Sequence, residues 1–407
     1  MNAICLVIDR LHVGHLGAYG NAWIETPSID RLACEAFTFD QAIAPGPGLE
    51  EFLNSVWQGR HPLLGRHDAR PAADFPRQLA AAGVAATLLT DDPAVAGHPA
   101  AAAFHEIIEL DPPERIEPAD DVDETHLARC FAQILDWLDS TRSEESFLLW
   151  VHLSSLGTCW DAPYQFRERY AEPGDPAPPR GADVPSLALP EDFDPDELLG
   201  LVQSYAGQVS LLDTCVGALL ESLDDGPFAK ETLLTLVSAR GFPLGEHGRV
   251  GECGDALHGE LVHVPMMVRL PGGLGAAGRG QALVTPADLR TTLLEWWSLQ
   301  DPAGTTIGKS LMPIIRSDVE IVRDRLVLGS PGAEAAIRVP AWYMRLLDVP
   351  RLFVKPDDRW EVNDVADRCG PVVEELQSAA DDFLKCLDSG NLDTLTPISE
   401  ILRTGPG

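Results

Sequence analysis

Short continuous apolar runs alternate along the chain with segments whose apolar residues recur at helical spacing. The runs at residues 3–8, 85–89, 147–153, 232–237 and 264–270 are typical of buried strands in a parallel sheet. Helical spacing predicts helices at 26–34, with Ser28 as N-cap, and at 76–82, 126–138 and 198–223. This alternation predicts an α/β fold in which a mostly parallel sheet lies between helices.

The pattern changes after Pro313. Strand-like runs at 326–328, 335–339 and 342–347 precede a helical pattern at 372–387, which indicates a small C-terminal α+β domain. We therefore predict an α/β domain over 1–315, the small domain over 316–387 and a loosely held tail over 388–407. The acidic segment 111–125 and the proline-rich segment 171–195 are predicted to be surface loops.

Charge narrows the possible partners. The 407 residues include 30 Lys and Arg against 63 Asp and Glu, so the formal net charge is −33. Such a chain repels phosphate backbones and anionic lipids, which argues against nucleic-acid binding and a basic membrane anchor. No apolar run reaches the ~20 residues of a membrane helix. The first residues have the pattern of a buried strand rather than of a signal peptide. The eight cysteines are scattered along the chain, which is typical of reduced thiols. We therefore expect a cytoplasmic protein.

Several motifs together resemble the sulfatase family of the alkaline phosphatase superfamily. They include Val-Ile-Asp at 7–9, His-Leu-Gly-Ala-Tyr-Gly at 15–20, Gly-Arg-His-Pro at 59–62, Leu-Gly-Glu-His-Gly at 244–248, Val-Pro-Met-Met-Val-Arg-Leu-Pro-Gly at 264–272 and Trp-Glu-Val-Asn-Asp at 360–364. They follow in family order from residue 1 to about 385. The resemblance implies the sulfatase-like α/β fold with its small C-terminal domain.

The residues that the family uses for catalysis are largely replaced. The resemblance implies a Cys or Ser nucleophile converted to formylglycine, and a Ca²⁺ held by four oxygen-bearing residues. The nucleophile position is Leu49, which offers no lone pair. The opening Asp-Asp pair is Asp9-Arg10, and the later Asp-His or Asp-Asn pair falls on Ala239-Arg240. One carboxylate beside arginines is a poor site for a hard cation, so we expect neither metal nor cofactor.

Other positions of the family site are replaced as well. The family's Lys-Trp-His segment maps onto a segment that begins at Asp91. The His that follows the 147–153 strand in the family maps onto Gly157, and a Lys later in the family sequence maps onto Gly254. Glu50 and Glu51 follow the nucleophile position, where carboxylates would repel sulfate and phosphate esters. The resemblance implies that positions 9 and 240 meet at the metal site, so we predict that Arg240 pairs with Asp9, since an unpaired buried carboxylate is costly.

These replacements predict a pseudoenzyme, a sulfatase-family protein without sulfuric ester hydrolysis that binds or scaffolds an unidentified ligand or protein partner. The alternative is a sulfate or phosphate ester hydrolase that works through a rebuilt site without formylglycine. The sequence leaves open whether the protein is an enzyme.

Other motifs in the sequence give weaker evidence for a functional site. Residues 304–310 resemble a phosphate-binding loop but have three residues between the glycines where four are needed. The segment also matches a family turn, so we do not expect a nucleotide site there. His12 and His15 flank the turn after Asp9, where turn capping is the simplest role.

Overall fold

The computed structural model describes residues 1–64, 74–113, 116–141, 146–252, 256–301, 307–330 and 332–405. Gly254, the predicted counterpart of the family's late Lys, lies outside these residues. The strands in chain order are β1 Asn2–Ile8, β2 Phe37–Ala42, β3 Ala85–Thr90, β4 Glu106–Glu109, β5 Phe147–Leu153, β6 Leu187–Ala188, β7 Thr232–Val237, β8 Arg249–Val250, β9 Met266–Arg269, β10 Gly278–Val284, β11 Leu326–Gly329, β12 Ala335–Val339, β13 Trp342–Leu346 and β14 Arg351–Val354.

The α-helices include the five predicted from the sequence and others, short and long, that were not predicted. They are α1 Pro27–Glu35, α2 Leu49–Gln58, α3 Phe75–Ala81, α4 Pro93–Ala96, α5 His126–Ser140, α6 Ser155–Thr158, α7 Tyr164–Glu168, α8 Pro195–Asp225, α9 Gly259–Val262, α10 Asp288–Trp296, α11 Met312–Ile315, α12 Gly370–Ser389 and α13 Glu400–Thr404. No helix in the described part of the chain combines the length and apolar character that a membrane span requires.

The largest sheet has eight strands in the order β10-β2-β9-β7-β1-β5-β3-β4. Its centre is parallel: β1 pairs with β5 and β7, and β3 pairs with β5 and β4. The β9 strand runs antiparallel to β7. A separate antiparallel sheet has the order β11-β12-β13-β14. The predicted α/β class, with a mostly parallel main sheet and further strands and a helix near the C-terminus, is confirmed.

Contacts divide the chain into two compact units. Unit 1 comprises Met1–Thr38, Leu79–Cys253 and Pro265–Arg279, and unit 2 comprises Phe39–Gln78, Gly254–Val264 and Gly280–Gly407. The boundaries near 315 and 387 remain predictions. Unit 2 has its own core, where α12 packs with strands β11 to β14. Leu402, which was expected in a loosely held tail, is buried in that core.

One local prediction needs correction. Ser28 lies inside the first turn of α1 rather than at its N-cap, which is Thr26. The Asp213 carboxylate of α8 accepts hydrogen bonds from the N–H groups of Ser28 and Ile29 and so caps the helix from outside. A tertiary cap of this kind leaves no local signal in the sequence.

Candidate functional site

Residues selected from the sequence follow the carboxyl ends of three strands in unit 1, and a fourth strand, β5, lies among them. Asp9 and Arg10 follow β1, Ala239 and Arg240 follow β7, and Asp91 follows β3. The last residues of β5 lie between β1 and β3, because His152 pairs in register with Val7 and Thr90. In sheets of this type ligands bind beyond these strand ends, so the topology marks this edge as the candidate site.

The buried carboxylate of Asp9 forms an ion pair with Arg240, whose side chain is 18% exposed. Arg240 Nε donates to both carboxylate oxygens of Asp9 at 3.1 Å, and Arg240 Nη2 donates to Oδ2 at 2.9 Å. Burial by itself raises the pKa of Asp9, but the charges of Arg240 and Arg10 offset this effect and hold the pKa below its ordinary value. Asp9 is therefore ionised and neutralised by guanidinium groups. The pairing predicted from the sequence is confirmed.

Backbone hydrogen bonds hold the two strand ends together. The Arg10 N–H donates to the Arg240 carbonyl oxygen at 3.0 Å. Ser238 Oγ accepts from the Leu11 N–H at 3.1 Å and donates to the same Arg240 carbonyl at 2.7 Å. These bonds fix the loops after β1 and β7, so the Arg240 side chain is held over the Asp9 carboxylate.

Arg10 adopts a backbone conformation that suits other residues better. Its φ is +64°, in the left-handed region that asparagine and aspartate enter more readily than arginine. Its Nε lies 3.9 Å from Asp9 Oδ2, and its Nη2 lies 3.5 Å from Glu252 Oε1. A Cβ at Gly157 would lie only 2.8 Å from Arg10 Cγ, so the glycine provides the space that the arginine occupies.

Tyr205 of α8 stabilises the turn that follows Asp9 through hydrogen bonds to its backbone. Its hydroxyl donates to the Arg10 carbonyl oxygen at 2.7 Å and accepts from the His12 N–H at 2.8 Å. Its ring stacks on Phe242 at a centroid distance of 5.4 Å. His12 Nδ1 accepts from the Gly14 N–H, so the turn-capping role expected for His12 is confirmed.

We expect Tyr205→Phe to lower the free energy of unfolding by about 1–3 kcal/mol, since it leaves a buried carbonyl and a buried N–H without their partner. The ring contact with Phe242 would remain. Urea denaturation measures the loss, with Tyr164→Phe as the control, because that hydroxyl binds the Pro178 carbonyl in a half-buried position. Equal losses in the two variants would contradict this role for Tyr205.

Asp91 is buried and bound on both of its carboxylate oxygens. Oδ1 accepts from the Ser154 N–H at 2.8 Å, and Oδ2 lies 2.9 Å from His126 Nε2. Cys130 Sγ lies 3.4 Å from the same Nε2. Neither His126 nor Cys130 was among the site residues predicted from the sequence. Their spacing of four residues in a predicted helix was the available signal, because it places both on one helix face. Their approach to Asp91 depends on the fold.

The residues around the nucleophile position belong to unit 2. Leu49 and the exposed Glu50 begin α2, whose N-cap is Gly48. Glu51 accepts a hydrogen bond from Ser330 Oγ, and its carboxylate folds back over Gly48, where a Cβ would lie 2.1 Å from Glu51 Oε2. Glu51 is thus engaged within unit 2, and its predicted effect on anionic esters remains a prediction.

The competing phosphate-loop motif is not supported as an anion site. Residues 302–306 lie outside the described residues. Of the rest, the Lys309 N–H donates to Asp288 and the Lys309 ammonium to Asp393, so both groups bind carboxylates.

Comparisons with known proteins identify the family. A sulfatase family model matches residues 1–299. The chain belongs to the sulfatase family. Human iduronate 2-sulfatase is 38% identical over 89 residues, which are 22% of this chain and 15% of that protein. The sulfatase of Formosa agariphila is 28% identical over 190 residues, 45% of this chain and 35% of that protein. The matched segments thus cover less than half of these relatives.

Solved structures agree in fold over nearly the whole chain. The phosphonate monoester hydrolase of Agrobacterium radiobacter superposes with a TM-score of 0.76 at 18% identity, covering 95% of both chains. A protein solved with its substrate D-glucosamine-2-N,6-O-disulfate superposes with a TM-score of 0.75 at 16% identity, covering 97% of this chain and 99% of that one. At these identities the similarity concerns the fold alone.

The sulfatase family implies a Ca²⁺ at this site, and the residues present do not fit one. A hard cation of this kind needs several oxygen ligands. Here Asp9 supplies one carboxylate, which already binds Arg240 through both oxygens. Ala239 offers no ligand atom on its side chain. No step through a divalent metal can therefore be derived for these side chains.

Proposed function

We propose that this sulfatase-family protein has lost sulfuric ester hydrolysis and acts as a pseudoenzyme with a binding or scaffolding role. The ion pair of Asp9 with Arg240 carries the proposal. Arg240 stands at a position where the family resemblance implies a metal ligand, and its guanidinium supplies the positive charge next to Asp9. Unlike a metal ion, it offers no open coordination position for an ester oxygen or a nucleophile.

The nucleophile position supports the same proposal. Leu49 has no atom that can attack sulfur or phosphorus, and formylglycine cannot be made from leucine. Removal of a catalytic nucleophile costs a factor of about 10⁶ in kcat in a well-studied hydrolase, and the binding groups that remain give only weak catalysis. Here the nucleophile and the metal ligands are replaced together.

Arg10 and Gly157 favour a remodelled site over a site with one damaged residue. The resemblance implies a His at position 157, and the Arg10 side chain occupies the space beside the Gly157 Cα. Arg10 also lies near Asp9 and Glu252, so the strand ends form a network of alternating charges. Such a network suits a partner with both charged and hydroxyl groups. The cytoplasmic location expected from the sequence belongs to this proposal and remains a prediction.

We expect the purified protein to hydrolyse aryl sulfates, aryl phosphates and phosphonate monoesters no faster than buffer, with or without added Ca²⁺, Mg²⁺, Mn²⁺ or Zn²⁺. The measurement is release of the chromogenic alcohol over a day at several enzyme concentrations. Asp9→Asn is the control, because a site rebuilt around the surviving carboxylate would lose activity in that variant.

The assay separates the proposal from its alternative. Hydrolysis that scales with protein concentration and is lost in Asp9→Asn would overturn the pseudoenzyme proposal and support a rebuilt ester hydrolase. Hydrolysis that persists unchanged in Asp9→Asn and disappears on further purification would come from a contaminant, and the proposal would stand.

A further inference from the structure

A second cluster of polar side chains lies in unit 1 and shares no residue with the Asp9–Arg240 pair. It consists of Asp91 after β3 and of His126 and Cys130 in the first turns of α5. All three are buried, with exposures of 3%, 8% and 2%. We call it the Asp–His–Cys cluster. The function proposed above does not use it, and no family position that we identified includes His126 or Cys130.

The donor atoms of the cluster have the spacing of metal ligands. Asp91 Oδ2 and Cys130 Sγ lie 2.9 Å and 3.4 Å from His126 Nε2, and the three atoms lie within 4.8 Å of one another. Zinc bonds to S, N and O of about 2.3, 2.0 and 2.0 Å place tetrahedral ligand atoms about 3.3–3.6 Å apart. The His126–Cys130 separation falls in this range and the His126–Asp91 separation is slightly shorter.

Hydrogen bonding does not account for both contacts of the imidazole. A single proton on His126 Nε2 can be directed at Asp91 or at Cys130, but not well at both. If Nε2 instead accepts the thiol proton, its lone pair faces the Asp91 carboxylate. A cation between the three atoms would satisfy all of them at once.

The charges around the cluster favour a cation as well. Asp161 Oδ2 accepts from the His126 N–H at 2.6 Å, whereas its Oδ1 is buried and has no hydrogen-bond partner within the described residues. Among the described ion pairs neither Asp91 nor Asp161 has a lysine or arginine partner. The charge of Arg167 acts on Asp161 from a distance, but neither carboxylate has a direct cationic partner other than the histidine, and buried carboxylates without one are costly.

Hydrogen bonds from neighbouring residues also fix the orientation of the three proposed ligands. Asp91 Oδ1 accepts from the Ser154 N–H, which fixes the carboxylate, and Asp161 fixes the backbone of His126. Thr125 Oγ1 accepts from the Ala128 N–H and caps α5, so His126 and Cys130 have a defined orientation. Support of this kind around the ligands is typical of metal sites.

We propose that Asp91, His126 and Cys130 bind a zinc ion that joins the end of β3 to the start of α5. The donor set of one carboxylate, one imidazole and one thiolate suits a borderline-soft divalent cation rather than Ca²⁺ or Mg²⁺. On binding, Cys130 loses its thiol proton to solvent and the imidazole binds in its neutral form. The site is independent of Asp9 and Arg240 and requires no ester hydrolysis.

Metal content tests the proposal directly. Because the site is buried, the protein is expressed in medium supplemented with Zn²⁺ and desalted before elemental analysis. We expect about one zinc per chain in the wild type and at least a tenfold lower content in Cys130→Ser and in Asp91→Asn, which keeps the shape of the carboxylate. Cys5→Ser is the control, since Cys5 is equally buried in β1, and it should keep its zinc.

A second readout comes from expression in cobalt-supplemented medium. Co²⁺ bound by Cys130 should give the thiolate-to-cobalt charge-transfer absorption and intense visible bands of tetrahedral cobalt, both absent from Cys130→Ser. Zinc far below one per chain in the folded wild type, or equal metal in the wild type and Cys130→Ser, would overturn the proposal. An imidazolium–carboxylate pair of His126 with Asp91 would then explain the contact.

Discussion

Replacing Arg240 by alanine is expected to lower the free energy of unfolding by about 3–5 kcal/mol at neutral pH, because it leaves the charge of Asp9 buried without its main partner. Asp9 is 2% exposed, and Arg240 supplies three of its hydrogen-bond contacts. Arg10 remains 3.9 Å away and cannot replace them without moving. Chemical denaturation followed by circular dichroism measures the loss.

The loss should depend on pH in a defined direction. In the wild type the pKa of Asp9 lies below its ordinary value, so the stability from the ion pair is present above about pH 4 and is lost as the pH falls through the lowered pKa. In Arg240→Ala, burial acts with less compensation and raises the pKa of Asp9. The difference between the two proteins should therefore be largest at neutral pH and should shrink under acid conditions.

Arg269→Ala is the matched control. The Arg269 side chain is 20% exposed and that of Arg240 18%, but the carboxylates that Arg269 binds, Glu35 and Asp224, are 31% and 29% exposed. Solvent can stabilise those carboxylates after the substitution, so we expect a loss of at most about 1 kcal/mol. If Arg240→Ala is no less stable than Arg269→Ala at pH 7, the buried ion pair does not have the proposed role.

The centre of the fold follows directly from the sequence. The runs at 147–153 and 232–237 were predicted with the bounds of β5 and β7, because strands covered on both faces are continuously apolar. The strands β2 and β4 were missed, since they contain polar residues such as Asp40 and Glu106. The β4 strand lies at one edge of the sheet and β2 lies next to the edge strand β10. In such strands pairing depends on the neighbouring strand more than on the local sequence pattern.

The contacts of the candidate site likewise include some that could be predicted from the sequence and some that could not. Asp9 and Arg240 could be paired from the sequence because the family resemblance places both positions at one site and a buried charge needs a partner. The contact between Gly157 and Arg10 could not, since it depends on the left-handed backbone of Arg10. Glu51 is engaged by Ser330, a partner 279 positions away in the chain that no local pattern indicates.

Restoring oxygen ligands at the strand ends is expected to create a Ca²⁺ site. The family resemblance implies carboxylate or amide side chains where this chain has Arg10, Ala239 and Arg240. The triple variant Arg10→Asp, Ala239→Asp, Arg240→Asn removes two cations and adds two carboxylates beside Asp9, which gives the several oxygen ligands that Ca²⁺ requires. The left-handed backbone at position 10 accepts aspartate more readily than arginine.

We expect the folded triple variant to bind about one Ca²⁺ per chain by isothermal titration, and the wild type none at the same concentrations. Because only the folded variant has the site, Ca²⁺ should stabilise it by about 2.7 kcal/mol at a free concentration of 100 times Kd. The matched control is Arg10→Asn, Ala239→Asn, Arg240→Asn, which has similar side-chain shapes without the added negative charges and should bind Ca²⁺ far more weakly. A folded triple variant that neither binds Ca²⁺ nor is stabilised by it would contradict the assignment of these positions to a lost metal site. The buried pair of Asp9 with Arg240 would then be only a structural ion pair at the end of two parallel strands.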